Sequence, residues 1–210
     1  IEIGSQCVRS AQILEIEYLY NWRLKMNNKI GTQEIETKRL ILRRMKISDA
    51  EDMFNNWSSD PCVSKFYSWE PHKNICETVQ IIKTWIAQYN DPLYFHWIIV
   101  DKATQKAIGT FYINNIDEEN CTGTINCILS RQVWGKGLAT EITQSVIAYC
   151  FEKVNFKIII SHHHENNIGS GKALVKAGLH FTDKRYHTYE ESPSINGNYL
   201  HYAIENNNVK

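Results

Sequence analysis

The sequence has no excess of charge of either sign, because 23 Lys and Arg residues balance 23 Asp and Glu residues. Proteins that bind nucleic acid usually carry a basic excess or a basic stripe, so no nucleic-acid partner is expected. Long apolar runs are also missing. The longest aliphatic stretches, residues 98–100 and 158–160, are far shorter than the roughly 18 residues of a membrane span, so no membrane association is expected. A hydrophobic content of 43% over 210 residues predicts one globular domain with a full core.

The cysteines show no sign of a disulfide framework or a zinc site. There are six, and none forms a CxxC pair, so reduced thiols and a cytoplasmic location are expected. Residues 162–165, His-His-His-Glu, are four consecutive residues whose side chains are able to bind metal ions. Successive side chains of a strand point to opposite faces, so this run cannot surround one ion and no metal is expected.

The residues before Met26 do not fit the pattern of the predicted domain. Met26-Asn27-Asn28-Lys29 looks like a natural start that runs directly into the first predicted strand. We therefore hypothesise that residues 1–25 are a non-core extension and that residues 26–210 form a single domain. Apolar residues between Ile13 and Trp22 also fit a short helix, so an ordered role for the extension stays open.

Hydrophobic periodicity predicts a mixed α/β domain. Strands are predicted at 34–45, 94–100, 106–116, 121–129, 156–161, 179–186 and 199–204, and helices at about 48–59, 74–89, 137–153 and 168–177. Ser48 is predicted to cap the first helix, because Glu51 completes a capping box. The three closely spaced strands between residues 94 and 129 indicate an antiparallel meander.

The loop over residues 130–141 carries the strongest functional signal. It joins a predicted strand to an amphipathic helix and contains Gly135-Lys136-Gly137. Glycines allow a ligand to approach the backbone, and the free N–H groups of a helix N-terminus attract phosphate. The loop matches neither the P-loop nor the Rossmann glycine pattern. Taken alone, Gly-Lys-Gly more often marks an ordinary tight turn.

Four blocks in order resemble the GNAT superfamily of N-acetyltransferases. Gln132-x-x-Gly135-x-Gly137 is similar to the [RQ]-x-x-G-x-[GA] pattern of that family. Residues 37–43, 69–72, 134–141 and 167–178 look like the branch that contains the ribosomal-protein-alanine N-acetyltransferases. The resemblance spans residues 37–205. It implies the GNAT fold, a central and mostly antiparallel sheet that splays between its fourth and fifth strands and is flanked by helices.

The resemblance implies acetyl-CoA as co-substrate, with its pantetheine arm between the splayed strands. Asn167 would bind the pantetheine end, and Ser170 would protonate the departing thiolate. The alternative for Ser170 is a helix-start serine that bonds its own backbone. The residues assigned to cofactor binding are Ile128, Leu129, Gln132, Trp134, Gly135, Lys136, Gly137, Leu138, Ala139, Thr140, Asn167 and Ser170.

The sequence departs from the family at three positions. Many members have a catalytic tyrosine where Leu174 stands, and members of this branch often have glutamates where Thr124 and Thr182 stand. Asp183 follows Thr182, but neighbouring residues of a regular strand point to opposite faces. A tyrosine acid is therefore disfavoured, and the general base is left without an obvious carboxylate.

Three side chains are candidates for that base. His163, at the end of the fifth predicted strand, is the first choice by position, and Glu70 and His72 lie on a loop that would border the acceptor site.

The leading interpretation is transfer of an acetyl group to a primary amine, with a peptide or protein N-terminal α-amine favoured. An α-amine has a pKa near 8, so roughly a tenth is neutral at pH 7 and little catalytic help is needed. The alternatives are a small amine, such as an antibiotic or polyamine, and a CoA-binding module without catalysis. The resemblance also suggests a homodimer.

Overall fold

The computed structural model describes residues 30–207, so the hypothesis about residues 1–25 lies outside the described part of the chain. The strands are β1 (Ile35–Glu36), β2 (Leu40–Arg43), β3 (Phe95–Asp101), β4 (Ala107–Asp117), β5 (Thr122–Leu129), β6 (Ile158–His164), β7 (His180–His187) and β8 (Gly197–Glu205). The α-helices are α1 (Ala50–Met53), α2 (Pro61–Ser64), α3 (Ile75–Ala87), α4 (Leu138–Tyr149) and α5 (Ile168–Ala177). Single π-helical turns, Phe54–Ser58 and Cys150–Val154, continue α1 and α4.

The strands form one sheet in the order β1-β2-β3-β4-β5-β6-β8-β7. All neighbours are antiparallel except β5 and β6. The predicted α/β fold, its mostly antiparallel sheet and its central meander are confirmed. The predicted single strand over 34–45 is wrong in detail. The chain turns at Thr37, whose hydroxyl oxygen accepts the N–H of Leu40 at 2.9 Å, and this turn separates β1 from β2.

Alternation along the central strands places a core on each face of the sheet. On one face, Trp97 and Phe111 pack with residues of α4 and α5 such as Ile142 and Leu174. On the other face, Ile98 and Ile128 pack against the helices near Met53, Trp57 and Ile82. Trp97 and Ile98 are neighbours in β3 and both are fully buried, because the two faces are covered by separate helical layers.

The start of the first helix differs from the prediction. Ile47–Asp49 forms a 3-10 turn, and α1 begins only at Ala50. The Asp49 carboxylate accepts the N–H of Lys46 at 2.7 Å and pairs with the Arg43 guanidinium at 2.7 Å. The predicted capping role of Ser48 is therefore wrong, because the helical turn starts directly after Lys46 and the Asp49 side chain accepts the backbone N–H of that residue.

The sheet opens between β5 and β6. These strands pair in parallel only over residues 122–124 of β5. Where pairing stops, the Ser161 hydroxyl donates to the carbonyl of Ile125 at 3.0 Å. The strands separate beyond this bond, which confirms the splay expected between the fourth and fifth predicted strands.

Candidate active site

The chain leaves β5 through a turn that favours glycine. A 3-10 turn, Arg131–Val133, is followed by Gly135 and Gly137, each with a φ of +74°. Side chains rarely adopt this left-handed conformation. A Cβ added at Gly135 would meet no atom within 4 Å. The two glycines therefore leave the backbone open to solvent directly before α4 begins at Leu138.

The backbone amides of this loop are available to a ligand. The N–H groups of Val133 and Trp134 are used inside the 3-10 turn, and the first bond of α4 runs from Glu141 to the carbonyl of Gly137 at 3.2 Å. Within residues 30–207, no protein group accepts an N–H from the segment 135–140. These amides lie at the positive end of the helix dipole. The loop therefore fits the phosphate groups of a nucleotide cofactor.

Two residues distant in sequence hold the loop in shape. Arg39 Nη1 donates to the carbonyl of Lys136 at 2.9 Å, and Arg39 Nε donates to Glu141 Oε2 at 2.7 Å. Glu141 Oε1 also accepts the N–H of Arg39 and the hydroxyl of Thr37. Burial opposes ionisation of Glu141, but the hydrogen bonds from Thr37 and Arg39 lower its pKa overall. Because a trans peptide is planar, the bound Lys136 carbonyl also directs the N–H of Gly137 to the opposite side.

Along the open edge of β5, alternate carbonyls are bound by side chains. The Tyr67 hydroxyl donates to the carbonyl of Cys127 at 2.9 Å, and Trp134 Nε1 donates to the carbonyl of Leu129 at 2.8 Å. The N–H and C=O of a strand residue point to the same side, so the N–H groups of Cys127 and Leu129 also face the gap. Both residues lie beyond the last β5–β6 pair.

The backbone of Ile128 faces the other way. Ile128 lies opposite Thr110 of β4, and its carbonyl is so close to Gly109 that an added Cβ there would come within 2.2 Å of it. The backbone groups of Cys127 and Leu129, and not those of Ile128, therefore face the gap. Alternation explains this, since a shift of one residue along a strand reverses the direction of the amide.

A cleft of about 400 Å³ fills the gap between β5 and β6. One end reaches Asn167 and Ser170 at the start of α5, and the other reaches Phe66, Tyr67 and Tyr189 across the sheet. Among the described residues that line it there is no Asp, Glu, Lys or Arg. The lining consists of aromatic, aliphatic, hydroxyl, thiol, amide and imidazole side chains, so the cleft carries no fixed charge.

Asn167 and Ser170 meet at the α5 end of this cleft. Asn167 Oδ1 accepts the N–H of Ser170 at 3.4 Å and so caps the helix. Ser170 Oγ makes no hydrogen bond with any residue of the described range. The alternative in which this hydroxyl bonds its own helix backbone is therefore wrong, and the hydroxyl stays available to a ligand.

Comparison with known proteins agrees with this geometry. A family model described as an acetyltransferase (GNAT) domain matches residues 39–180. A Bacillus licheniformis relative named as an uncharacterized N-acetyltransferase, p20, is 32% identical over 142 residues, which are 68% of this chain and 79% of the relative. The chain belongs to the GNAT acetyltransferase family.

Solved GNAT structures share the fold at low sequence identity. The ribosomal-protein-S5-alanine acetyltransferase from Vibrio fischeri is 21% identical, covers 85% of this chain and 99% of its own, and superposes with a TM-score of 0.68. The microcin C7 self-immunity acetyltransferase MccE, solved with acetyl-CoA and AMP, is 18% identical, covers 81% of this chain and 94% of its own, and also has a TM-score of 0.68. This GNAT chain is thus an acetyl-transfer enzyme, and its family supports acetyl-CoA as the acetyl donor.

In this acetyltransferase, His163 lies on the α5 face of the sheet and is only 5% exposed. Its Nδ1 is 2.8 Å from the carbonyl of His164 and so carries the proton, while its Nε2 is 3.4 Å from the Tyr202 hydroxyl. A Cβ at Gly171 would come within 2.5 Å of that Nε2. Burial lowers the pKa of His163. Although His163 borders the cleft, both ring nitrogens already face protein groups.

The other two predicted base candidates lie outside the cleft. His72 Nδ1 is 2.7 Å from the Thr78 hydroxyl, and its ring packs edge-on against Trp69. Glu70 is exposed. Neither residue lines the gap between β5 and β6.

A β-bulge changes the position of Asp183. The pairing of β7 with β8 shifts register between Phe181 and Asp183, so that Asp183 lies opposite His201. The expectation that Asp183 points away from the face assigned to Thr182 is therefore wrong, because the bulge inserts one residue. Asp183 consequently faces the histidines of the neighbouring strands.

Sequence reasoning missed a group of three histidines that border or lie behind the cleft. His162, His187 and His201 come from β6, β7 and β8, and their ring centroids lie 5.1 to 5.5 Å apart. Within residues 30–207 no group of three His, Cys, Asp or Glu side chains has the arrangement of a metal site. No helix in the same range is both long enough and apolar enough to cross a membrane.

Proposed function

We propose that this GNAT enzyme acetylates the α-amine of a peptide or protein N-terminus, by direct attack on acetyl-CoA in a ternary complex. The observation that carries the proposal is a cleft of about 400 Å³ without charged side chains in the gap between β5 and β6, together with the free loop amides that follow the end of β5. The branch containing the ribosomal-protein-alanine N-acetyltransferases is the proposed affiliation, which the structural likeness to the Vibrio fischeri enzyme supports.

Residues at the cofactor end are assigned from the loop geometry. In the proposal, the backbone N–H groups over 135–140 bind the pyrophosphate, and the exposed Lys136 adds positive charge nearby. Gln132 is exposed at the rim of the same loop. Leu129 and Cys127 present their amides to the pantetheine arm, while Trp134 holds the strand end through its indole N–H. Acetyl-CoA supplies an activated acetyl thioester to this site.

Ser170 is the proposed acid at the sulfur end. A thiol has a pKa near 8.5 if it behaves like cysteine, so its departure is helped by a proton donor. The Ser170 hydroxyl lines the cleft and has no protein hydrogen-bond partner in the described range. Leu174, one turn further along α5, has no proton to give.

The uncharged lining favours an α-amine over a polycation. A polyamine or aminoglycoside carries several ammonium groups, and burying them without carboxylates is costly. An α-amine needs to lose one proton only, and much of it is neutral near pH 8. The acceptor side of the cleft is therefore suited to a single amine flanked by neutral groups.

The runner-up is a small-molecule amine that carries a flat ring. Its support is the aromatic lining, since Phe66, Tyr67, Tyr189 and Tyr199 all border the cleft, and aromatic faces bind planar groups well. The family likeness extends to MccE, whose structure holds AMP.

Calorimetry with CoA followed by an acceptor panel tests these assignments. The panel contains a peptide with a free N-terminus, the same peptide with a blocked N-terminus and one lysine, an aromatic amine, an aminoglycoside and a polyamine. We expect CoA to bind and the free N-terminus to be acetylated fastest. Preference for the aminoglycoside or the polyamine would contradict the α-amine proposal, and absence of CoA binding would contradict the cofactor site as well.

The proposal also covers the organisation of the molecule. It places the catalytic domain within residues 26–210, assigns a cytoplasmic location from the cysteine usage, and includes a homodimer, which the family resemblance suggests. Light scattering of the purified protein measures the oligomeric state, and a monomer would contradict that part alone.

A further inference from the structure

The histidines on the acceptor side form a connected path. His187 Nε2 lies 2.9 Å from His201 Nε2, and His187 Nδ1 lies 3.3 Å from the Tyr189 hydroxyl. Tyr189 and His187 line the cleft, whereas His201 is buried behind them, at 8% exposure. A continuous line of hydrogen-bonding groups therefore runs from the cleft into the outer part of the sheet.

The contact between two Nε2 atoms fixes the proton arrangement. One ring must donate and the other must accept, because two imidazoles that both carry a proton at Nε2 would repel each other. If His187 donates from Nε2, its Nδ1 is an acceptor and the Tyr189 hydroxyl can donate to it. The line then reads Tyr189 to His187 to His201, with every hydrogen bond in the same direction.

Other groups around His187 and His201 favour the uncharged form of both imidazole rings. Burial, followed by the charge of Arg185, lowers the pKa of both His187 and His201. His162 packs against the two rings from β6, and burial lowers its pKa to about 4. Both members of the pair are therefore neutral at pH 7 and ready to accept a proton.

A carboxylate stands behind the pair. Asp183 lies opposite His201, and its charge works against the lowering of the His201 pKa. Asp183 Oδ2 is held by Arg185 at 2.6 Å, while Oδ1 is buried without a hydrogen-bond partner. Tyr199 donates its hydroxyl to the carbonyl of Ile195 at 3.1 Å. Burial raises the pKa of Tyr199 and a side-chain hydrogen bond with Tyr189 also contributes, so Tyr199 is a neighbour of the first group in the path.

We propose that Tyr189, His187 and His201 form a proton relay that takes the proton of the acceptor amine out of the cleft. This inference rests on the proposed function. The amine gives its proton to the Tyr189 oxygen, the Tyr189 proton passes to His187 Nδ1, and the His187 proton passes from Nε2 to His201 Nε2. No bond between heavy atoms changes, and the single positive charge moves from the amine to His201, beside Asp183. Tyr189 is the catalytic residue of this step, and the two histidines position and receive the proton through it.

The pH dependence of kcat separates this relay from a structural role. In the wild type, kcat at saturating peptide and acetyl-CoA should stay flat down to about pH 6.5 and then fall as the imidazoles gain protons. His201→Asn and Tyr189→Phe should lower kcat at pH 7 by about 10-fold, because only roughly a tenth of the amine is neutral there, with a deficit that shrinks toward pH 9, where the amine arrives neutral. His180→Asn is the control, because His180 is exposed at the start of β7 and does not line the cleft.

The possible outcomes distinguish a failure of the relay from a failure of the proposed function. A loss in His201→Asn that is equal at every pH, or no loss at all, overturns the relay while the proposed function stands. A wild-type enzyme that acetylates no amine of the panel overturns the proposed function and the relay together. Nitrogen NMR of the imidazoles gives an independent check with the full chain. The pair should gain its first proton as one coupled unit below pH 6.5, and two independent titrations near 6.5 would overturn the relay whatever the activity.

Discussion

Glu141→Gln should weaken CoA binding more than it weakens the fold. Glu141 lies in the first turn of α4 and accepts hydrogen bonds from Thr37 and from both the backbone and the guanidinium of Arg39. Arg39 in turn binds the carbonyl of Lys136. With a neutral amide at position 141, the guanidinium loses its charged partner, and the Lys136–Gly137 peptide is free to rotate. The free amides of residues 135–140, called the cofactor loop below, then have to be ordered by CoA when it binds.

The magnitude follows from exposure and from the number of bonds. The Arg39 side chain is 43% exposed and that of Glu141 is 20% exposed, so solvent screens the ion pair. Its loss should cost only about 0.5 to 1 kcal/mol of the free energy of unfolding. When CoA binds, the released loop peptide must be ordered again without the lost hydrogen bond, which costs a further 1 to 2 kcal/mol, roughly. This cost weakens only CoA binding and corresponds to a roughly 5- to 30-fold rise in Kd.

Isothermal calorimetry with CoA measures the effect, and urea unfolding measures stability. Glu36→Gln is the matched control, because Glu36 forms a comparable ion pair with Lys102 at 2.9 Å and does not touch the cofactor loop. The reasoning is refuted if both variants lose the same CoA affinity, or if Glu141→Gln binds CoA as the wild type does.

Three further predictions concern single side chains. Gly135→Ala should cost about 1 to 2 kcal/mol of stability, because its φ of +74° disfavours a side chain, and urea unfolding checks this; an unchanged unfolding midpoint would contradict it. Ser170→Ala should lower turnover at saturating acetyl-CoA by about 100-fold without changing CoA affinity, and an unchanged turnover would remove Ser170 from the chemistry. Burial lowers the pKa of His96 to about 3 in the folded protein. The unfolded chain therefore binds the extra proton first, and stability should fall by about 2 kcal/mol from pH 7.5 to pH 5. Urea unfolding of His96→Gln should lack this slope, and a slope equal to that of the wild type would assign it to other groups.

Much of the fold could be predicted because local patterns and long-range packing agree. The meander and the helix of Ala139, Ile142 and Val146 follow from periodicity that the core then uses, and the loop follows from its glycines. The error at the first helix occurs where a side-chain contact decides the local structure. Asp49 accepts the N–H of Lys46 and pairs with Arg43, six residues before it, so the helical turn starts earlier than the capping-box pattern of Ser48 and Glu51 predicts.

The candidate site also contains features that the sequence predicts and features that it does not. The loop amides are a local property of Gly135 and Gly137, so the sequence predicts them. Strand register decides which residues of β5 turn their backbone groups toward the gap, and a shift of one residue exchanges Ile128 for Cys127. The histidine pair depends on the order β6-β8-β7 and on a bulge at Thr182, neither of which a single sequence displays. Only the spacing of His187 and His201, each in a predicted strand region or next to one, hints at it.

The lack of glutamate at Thr124 and Thr182 agrees with the rest of the cleft. A carboxylate beside an ammonium stabilises the charged form and raises the pKa of the amine, so the reactive free base becomes scarcer. A neutral imidazole relay avoids that cost, because it carries no charge until the proton has left the amine. Asp183 can then balance the transferred charge from behind His201 without touching the substrate. In the proposed enzyme, the phosphate end of the site relies on main-chain dipoles, and the acceptor end relies on neutral rings. We expect a site built in this way to select an amine that can be deprotonated over one that is only cationic.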